Sequence, residues 1–181
     1  MSETETLLVQ QLQSESQKNA AFKTLITLYK ERLYWHIRHI VKSHDDADDV
    51  LQNTFIKVFK NINKFKGDSQ LYSWLYRIAT NEALTHLKRN AKLKNITNED
   101  AQDLAINNLQ SDVYFEGEDI QIKLQKAIAT LPEKQQLVFK MKYFEEMKYE
   151  EMSEVLDTSV GALKSSYHIA VKKIEEILKT N

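Results

Sequence analysis

The chain contains no cysteine, a single proline (Pro132) and three glycines in 181 residues. Without cysteine it can form neither a disulfide nor a thiolate zinc site, which is typical of proteins from a reducing compartment. So few prolines and glycines predict a mainly helical chain, because sheet proteins need many tight turns. No apolar run approaches the roughly 20 residues that span a bilayer. The stretch MSETETLLVQQL also lacks the basic start and apolar centre of a signal peptide, so we expect a soluble, cytoplasmic protein without membrane insertion of its own.

Charge is distributed unevenly, although the formal net charge is only −1. Residues 1–94 carry 15 basic and 10 acidic side chains, and residues 120–181 carry ten and nine. Between them, residues 95–119 carry seven acidic side chains and no basic one, with no sustained apolar period. This pattern predicts an all-α protein with two small helical domains, 1–94 and 120–181, joined by a flexible acidic linker, 95–119.

The first domain is predicted to contain three long helices. In NAAFKTLITLYKERLYWHIRHIV, apolar residues recur every three or four positions, which indicates an amphipathic helix. The next helix is capped by Ser43 or by one of the aspartates that follow it, and it begins with acidic residues, where the helix dipole favours negative charge. The segment KGDSQ is predicted to be a turn, and LYSWLYRIATNEALTHLKRNAK forms a third helix that ends in basic residues.

The second domain contains a short helix break in SEVLDTSVGALKSSYH, residues 153–168. One helix ends at Leu156, three polar residues follow, and the next helix begins at Val160 with Ser159 or Thr158 as its cap. Helices joined by so short a turn cross steeply, which predicts a helix-turn-helix. The outward side chains of the second helix are then Ala162, Lys164, Ser165, His168 and Lys172. Small residues at the start of this helix allow it to approach a DNA groove closely. Lysine can reach guanine or phosphate, and serine can form hydrogen bonds with several base edges. An αα-corner with solvated lysines is the alternative.

Two stretches resemble parts of one protein family. Residues 46–89, DADDVLQNTFIKVFKNINKFKGDSQLYSWLYRIATNEALTHLKR, resemble region 2 of the extracytoplasmic-function (ECF) sigma factors of bacterial RNA polymerase. Residues 131–174, LPEKQQLVFKMKYFEEMKYEEMSEVLDTSVGALKSSYHIAVKKI, resemble region 4 of the same family, in the family's order. The resemblance implies a protein that binds core RNA polymerase, recognises the −10 and −35 promoter elements and promotes strand opening.

The resemblance also implies roles for residues of region 2. The polymerase-binding positions are Asp48, Asp49, Gln52 and Phe55. The positions that melt and read the −10 element are Lys57, Phe65, Lys66, Gly67, Asp68, Ser69, Gln70, Tyr76 and Asn81. Phosphate contacts are implied for Arg77, Lys88, Arg89, Lys92 and Lys94.

In region 4 the resemblance implies that the second helix of the helix-turn-helix reads the −35 element. The sequence departs from the family pattern at Ala162, Ser166 and Ile169, where a threonine and two arginines are common. Because fewer donors remain, we expect a weaker or altered −35 contact.

The implied partners are core RNA polymerase, promoter DNA and an anti-sigma factor that covers these surfaces. No cofactor and no metal are expected. The acidic linker is either a solvated tether or, as in relatives, a segment that enters the basic cleft of the polymerase.

Functions of other classes remain as alternatives. An enzyme is not expected, because no catalytic triad, glycine-rich phosphate loop or metal motif is present. His36 and His39 are spaced to share a metal, but no third ligand lies near them in the sequence. A helix-turn-helix regulator of duplex DNA, with an N-terminal domain that binds another protein, is one alternative. An inhibitor-like interaction protein that retains the sigma fold is another.

Overall fold

Helices dominate the part of the chain that the computed structural model describes, residues 3–94 and 119–180. The helices of the first part are α1 (Glu3–Gln13), α2 (Lys18–Val41), α3 (His44–Asn61) and α4 (Leu71–Lys94), with a 3₁₀ turn at Ile62–Lys64. Those of the second part are α5 (Asp119–Ala129), α6 (Glu133–Tyr143), α7 (Tyr149–Leu156) and α8 (Val160–Thr180). Within these two ranges there is no strand, and the predicted all-α fold is confirmed.

In the first domain, local side-chain and backbone features determine where the helices begin and end. The hydroxyl of Ser43 accepts a hydrogen bond from the Asp46 N–H at 3.3 Å, as predicted for the N-cap of α3. The loop between the 3₁₀ turn and α4 contains Gly67 at φ 80°, a left-handed conformation that glycine adopts without strain. Helices α2, α3 and α4 enclose a core in which Leu33, Ile37 and Leu75 are fully buried.

Helix α1 is a feature that the sequence pattern did not predict. Its buried side chains, Leu8, Val9 and Leu12, pack into the core of the first domain beside α2. Only a narrow apolar stripe faces inward, and a helix of 11 residues is marginal in water without tertiary packing. The α1 helix therefore exists because the domain covers its apolar side.

The predicted helix-turn-helix is present as α7, the turn Asp157–Ser159 and α8. Asp157 ends α7 at φ 49°, and the Ser159 hydroxyl caps α8 by accepting from the Ala162 N–H at 3.3 Å. Met152, Val155, Leu163, Ala170 and Ile174 are buried and form the inward side of the motif. Pro132 is the N-cap residue of α6.

The second domain packs directly against the first. Helix α7 lies on α4, and Met147, Met152 and Val155 join the apolar cluster that fills the first domain. A second cluster, built around Ile128, Phe139 and Ala170, holds α5, α6 and α8 together. The linker was predicted for residues 95–119; residues 95–118 lie outside the described residues, and Asp119 is the first residue of α5. None of the described helices is both long and apolar enough to cross a membrane.

Candidate polymerase and nucleic-acid interfaces

The exposed face of α3 carries the first set of predicted site residues. Asp48, Asp49 and Gln52 are exposed, and Ile56 lies one turn beyond Gln52 with 45% of its surface open to solvent. Residues four apart on a helix lie on one side, so Ile56 adds an apolar group to the acidic and amide groups. This face combines negative charge with one exposed aliphatic side chain, and sequence reasoning missed Ile56.

Phe55, the fourth residue of that predicted set, is located elsewhere. It is only 8% exposed and packs edge-to-face against Phe22, with ring centroids 6.2 Å apart. Its ring belongs to the contact between α2 and α3, so Phe55 is not part of the exposed face, and its role in polymerase binding stays a prediction.

The segment Lys66–Gln70 forms a loop between the 3₁₀ turn and α4, which we call the recognition loop. Lys66, Gly67, Asp68 and Gln70 are exposed, and Ser69 is half-buried. Phe65, just before the loop, is 5% exposed and its ring lies 5.3 Å from that of Trp74. Its side chain therefore anchors the loop to the core, and the role at the −10 element that the resemblance implies for Phe65 stays a prediction.

Residues on α3 and α4 flank the recognition loop. The Lys57 ammonium is paired with the Glu82 carboxylate, and the Asn81 side chain is exposed on the next helix. Tyr76 is only 3% exposed, between Tyr72 and His36, with ring centroids 4.2 and 4.7 Å away. Burial raises the pKa of Tyr72 to about 12 and raises that of Tyr76 further, so both phenols are neutral donors at physiological pH.

The predicted phosphate-binding residues fall into two groups. Lys88, Arg89 and Lys92 are exposed on the last turns of α4, where they form a basic surface. Arg77 instead directs its guanidinium to the second domain, where Nε donates to the Glu154 carbonyl at 2.9 Å and Nη2 donates to the same oxygen. The side chain of Lys94 lies outside the described residues.

The last set of predicted site residues, those for the −35 element, lies on helix α8. Ala162, Lys164, Ser165, His168 and Lys172 are all exposed along one side. Ile169, one of the positions that depart from the family pattern, is 44% exposed beside them. The hydroxyl and imidazole groups on this side can bond base edges, and the two lysines can reach phosphates. Ile169 offers only an apolar contact at a position where a donor is common.

A polar contact between the two domains was not predicted by the sequence. His36 is 1% exposed, and its Nδ1 lies 2.9 Å from Oε1 of Glu145, while its Nε2 lies 2.8 Å from the Thr80 hydroxyl. The His39 ring stacks on Phe144 with centroids 4.9 Å apart. The spacing of the two histidines hinted at a metal, yet among the residues with described positions no three His, Cys, Asp or Glu side chains form a metal site.

Burial at this domain contact changes the pKa of two basic groups. Removal of His39 from water lowers its pKa from 6.5 to about 4, although the nearby Glu145 acts in the opposite direction. Burial, followed by the charge of Lys42, lowers the pKa of Lys140 well below its usual range. Burial therefore favours the neutral form of both side chains.

Family models of transcription initiation factors match both helical domains, of which the second carries the exposed helix-turn-helix. The model described as "Sigma-70 region 2" matches residues 25–93, and the model described as "Sigma-70, region 4" matches residues 121–174. Sigma factors are non-enzymatic proteins that act with core RNA polymerase and promoter DNA.

Comparison with individual sigma factors identifies the family within this class. The chain is 30% identical to the RNA polymerase sigma-H factor of Pseudomonas aeruginosa, over 98% of this chain and 95% of that one. It is 32% identical to the ECF RNA polymerase sigma-E factor of Haemophilus influenzae, over 95% of this chain and 94% of that one. The chain belongs to the ECF sigma factors, and its function is in transcription initiation.

Two solved structures share the fold. The first is CnrH in complex with the cytosolic domain of CnrY, with a TM-score of 0.69 and 20% identity over 99% of both chains. The second is the sigma factor RpoE of Bartonella quintana in complex with the anti-sigma factor NepR, with a TM-score of 0.65 and 20% identity. That match covers 88% of this chain and 98% of that one.

Proposed function

We propose that the α3 face of Asp48, Asp49, Gln52 and Ile56 docks the chain on core RNA polymerase. The observation that carries this assignment is the exposure of all four side chains on one side of a single helix. A carboxylate-rich surface steers association with a basic partner, and an exposed aliphatic group supplies an apolar contact of the kind that typical interfaces contain.

The recognition loop and α4 are proposed to bind the −10 element. The loop Lys66–Gln70, the Asn81 amide and the Lys57 ammonium are exposed, and Lys88, Arg89 and Lys92 supply charge for phosphates. A base that leaves the stack can bond to loop backbone and amide groups. Tyr76 and Arg77 become available to DNA only after the second domain moves off α4.

The exposed side of α8 is proposed to read the −35 element. Ser165 and His168 are aligned for base edges, whereas Lys164 and Lys172 are suited to the backbone. With Ala162, Ser166 and Ile169 in place of common donors, this contact contributes less to promoter affinity than it does in relatives with a full set.

We further propose that an anti-sigma factor regulates the chain, that it acts in the cytoplasm, and that it performs no catalysis of its own. The support is the family membership: RpoE in the similar structure is held by an anti-sigma factor. An acidic linker at 95–119 is proposed to connect the domains, which are then free to separate on the polymerase.

The test is run-off transcription on fragmented genomic DNA, with core polymerase alone and with this chain added. New transcripts that start below one shared two-part motif are the expected result, and they identify the promoter. A stable polymerase complex without transcripts would instead indicate an inhibitor-like protein. Duplex binding with no polymerase complex would indicate a helix-turn-helix regulator.

A further inference from the structure

Gln13, the last residue of α1, is bound to the end of α3 that leads into the recognition loop. Its Nε2 donates to the Ile62 carbonyl at 3.1 Å and to the Phe65 carbonyl at 2.8 Å. These contacts join residues 49 and 52 positions apart in the chain. A single side-chain amide has two N–H donors, and here both are used on the backbone of one turn.

The Ile62 carbonyl is at the C-terminus of α3, and the Phe65 carbonyl is at the end of the 3₁₀ turn that follows. Carbonyls at a helix C-terminus lack helical partners and need other donors. Ile62 also accepts from the Phe65 N–H at 3.1 Å, which closes the 3₁₀ turn, and Gln13 donates to the carbonyls at both ends of that turn. The Phe65 carbonyl lies one peptide bond before Lys66, so the amide fixes the direction in which the loop begins.

The other anchors of the loop are apolar. The Phe65 ring is buried against Trp74, and Leu71 at the start of α4 is fully buried. Gln13 itself is held in place because Leu8, Val9 and Leu12 bury the inner side of α1. Of these anchors, Gln13 is the one that acts on the loop backbone through hydrogen bonds from a different helix.

We propose that Gln13 is a positioning residue for recognition of the −10 element. It sets the path of the five-residue loop, so that loop groups meet a flipped base at the required distance. This inference rests on the proposed role of the loop. A purely structural role would change how much protein folds, whereas a positioning role changes how well the folded protein distinguishes bases.

The test compares Gln13→Glu with Gln10→Glu. The carboxylate has nearly the shape of the amide but no hydrogen to donate, and its charge repels the Ile62 and Phe65 carbonyls. Gln10 is exposed one turn earlier on α1, so its substitution makes the same change of charge away from the loop. Holoenzyme is formed with the full chain, on the promoter that run-off transcription identifies.

The quantity measured is the ratio of open-complex formation on the preferred −10 base to that on the least preferred base, by permanganate reactivity. This ratio does not depend on the fraction of active protein. With Gln13→Glu we expect the ratio to fall about threefold to tenfold, in line with two lost hydrogen bonds. With Gln10→Glu it should equal the wild-type ratio.

An unchanged ratio with Gln13→Glu would overturn the inference. If that variant does not fold, Gln13→Ala removes both donors without adding charge, and its ratio should still fall. A wild-type chain that opens promoters without any −10 base preference would overturn the proposed loop function itself. The two failures are therefore distinguishable.

Discussion

Ile56 illustrates how a single exposed side chain completes a surface. It is 45% exposed one turn beyond Gln52 on the exposed face of α3, whereas the neighbouring aliphatic residues of that helix are buried. Side chains that an interface removes fully from water contribute most of its affinity.

The first prediction concerns this residue. Substitution Ile56→Ala should weaken binding to core polymerase by about 1–2 kcal/mol, or roughly tenfold, because an apolar contact is lost. The measurement is fluorescence anisotropy with a dye on one introduced cysteine, which is specific because the chain has none. Leu28→Ala, at a site on α2 that is 59% exposed, is the matched control and should bind as wild type. Equal losses for both variants would argue against α3 as the docking face.

His39 gives a prediction about pH. Its pKa is lowered to about 4 by burial in the folded protein, so the folded state binds a proton there less readily than the unfolded chain. The stabilising contribution of neutral His39 is fully present above pH 6.5 and is lost as the pH falls toward about 4. Urea unfolding at pH 7 and pH 5 should show a smaller loss of stability for His39→Gln than for wild type. The exposed His168→Gln should keep the wild-type dependence on pH; if both variants lose it, His39 is not the group responsible.

At the scale of elements, two serines near the start of α8 are predicted to have different roles, Ser159 in stability and Ser165 in DNA recognition. The Ser159 hydroxyl caps α8, whereas Ser165 is exposed on the proposed DNA side of the same helix. We predict that Ser159→Ala lowers the free energy of unfolding by about 1 kcal/mol, because an N-cap bond is lost. Ser165→Ala should leave stability unchanged and weaken binding to a −35 duplex.

The measurements for this pair are urea unfolding and duplex binding at fixed salt concentration, because phosphate contacts make affinity depend on salt. If Ser165→Ala binds the duplex as tightly as wild type does, this side of α8 does not read the element.

Prediction from sequence succeeded for most elements and failed for α1. Helices α2, α3, α4 and α8 have apolar stripes long enough to be recognised from their period. In α1 the short stripe of Leu8, Val9 and Leu12 carries too little information, and its partner surface is formed by residues distant in sequence. Gln13 was missed for the same reason, since its acceptors lie about 50 residues further along the chain.

For the whole molecule, the contact between the domains covers residues proposed to bind DNA. Tyr76 is buried beneath the second domain, and the Arg77 guanidinium is bound to the Glu154 carbonyl. Contact with the −10 element through these residues requires that α7 leave α4. The hydrogen bond between His36 and Glu145 also joins the two domains.

We therefore predict that Glu145→Ala increases the population of chains with separated domains. The closed state should lose on the order of 2 kcal/mol, because the buried imidazole of His36 keeps one partner fewer. Energy transfer between dyes on cysteines introduced at the exposed Lys60 and Lys173 measures the separation. Glu150→Ala, at an exposed site on α7, should leave the transfer efficiency unchanged. An equal efficiency in Glu145→Ala would mean that this contact does not hold the domains together.

The sequence by itself determined the helical class, the two-domain order, the helix-turn-helix and the side of α8 that faces outward. These depend on local rules, namely the spacing of apolar residues, N-caps and turn residues. Only the tertiary structure decided that Phe65 is buried, that His36 meets Glu145, and that Gln13 holds the loop. Each of these depends on which distant surfaces pack together, and one-dimensional spacing carries no information about that.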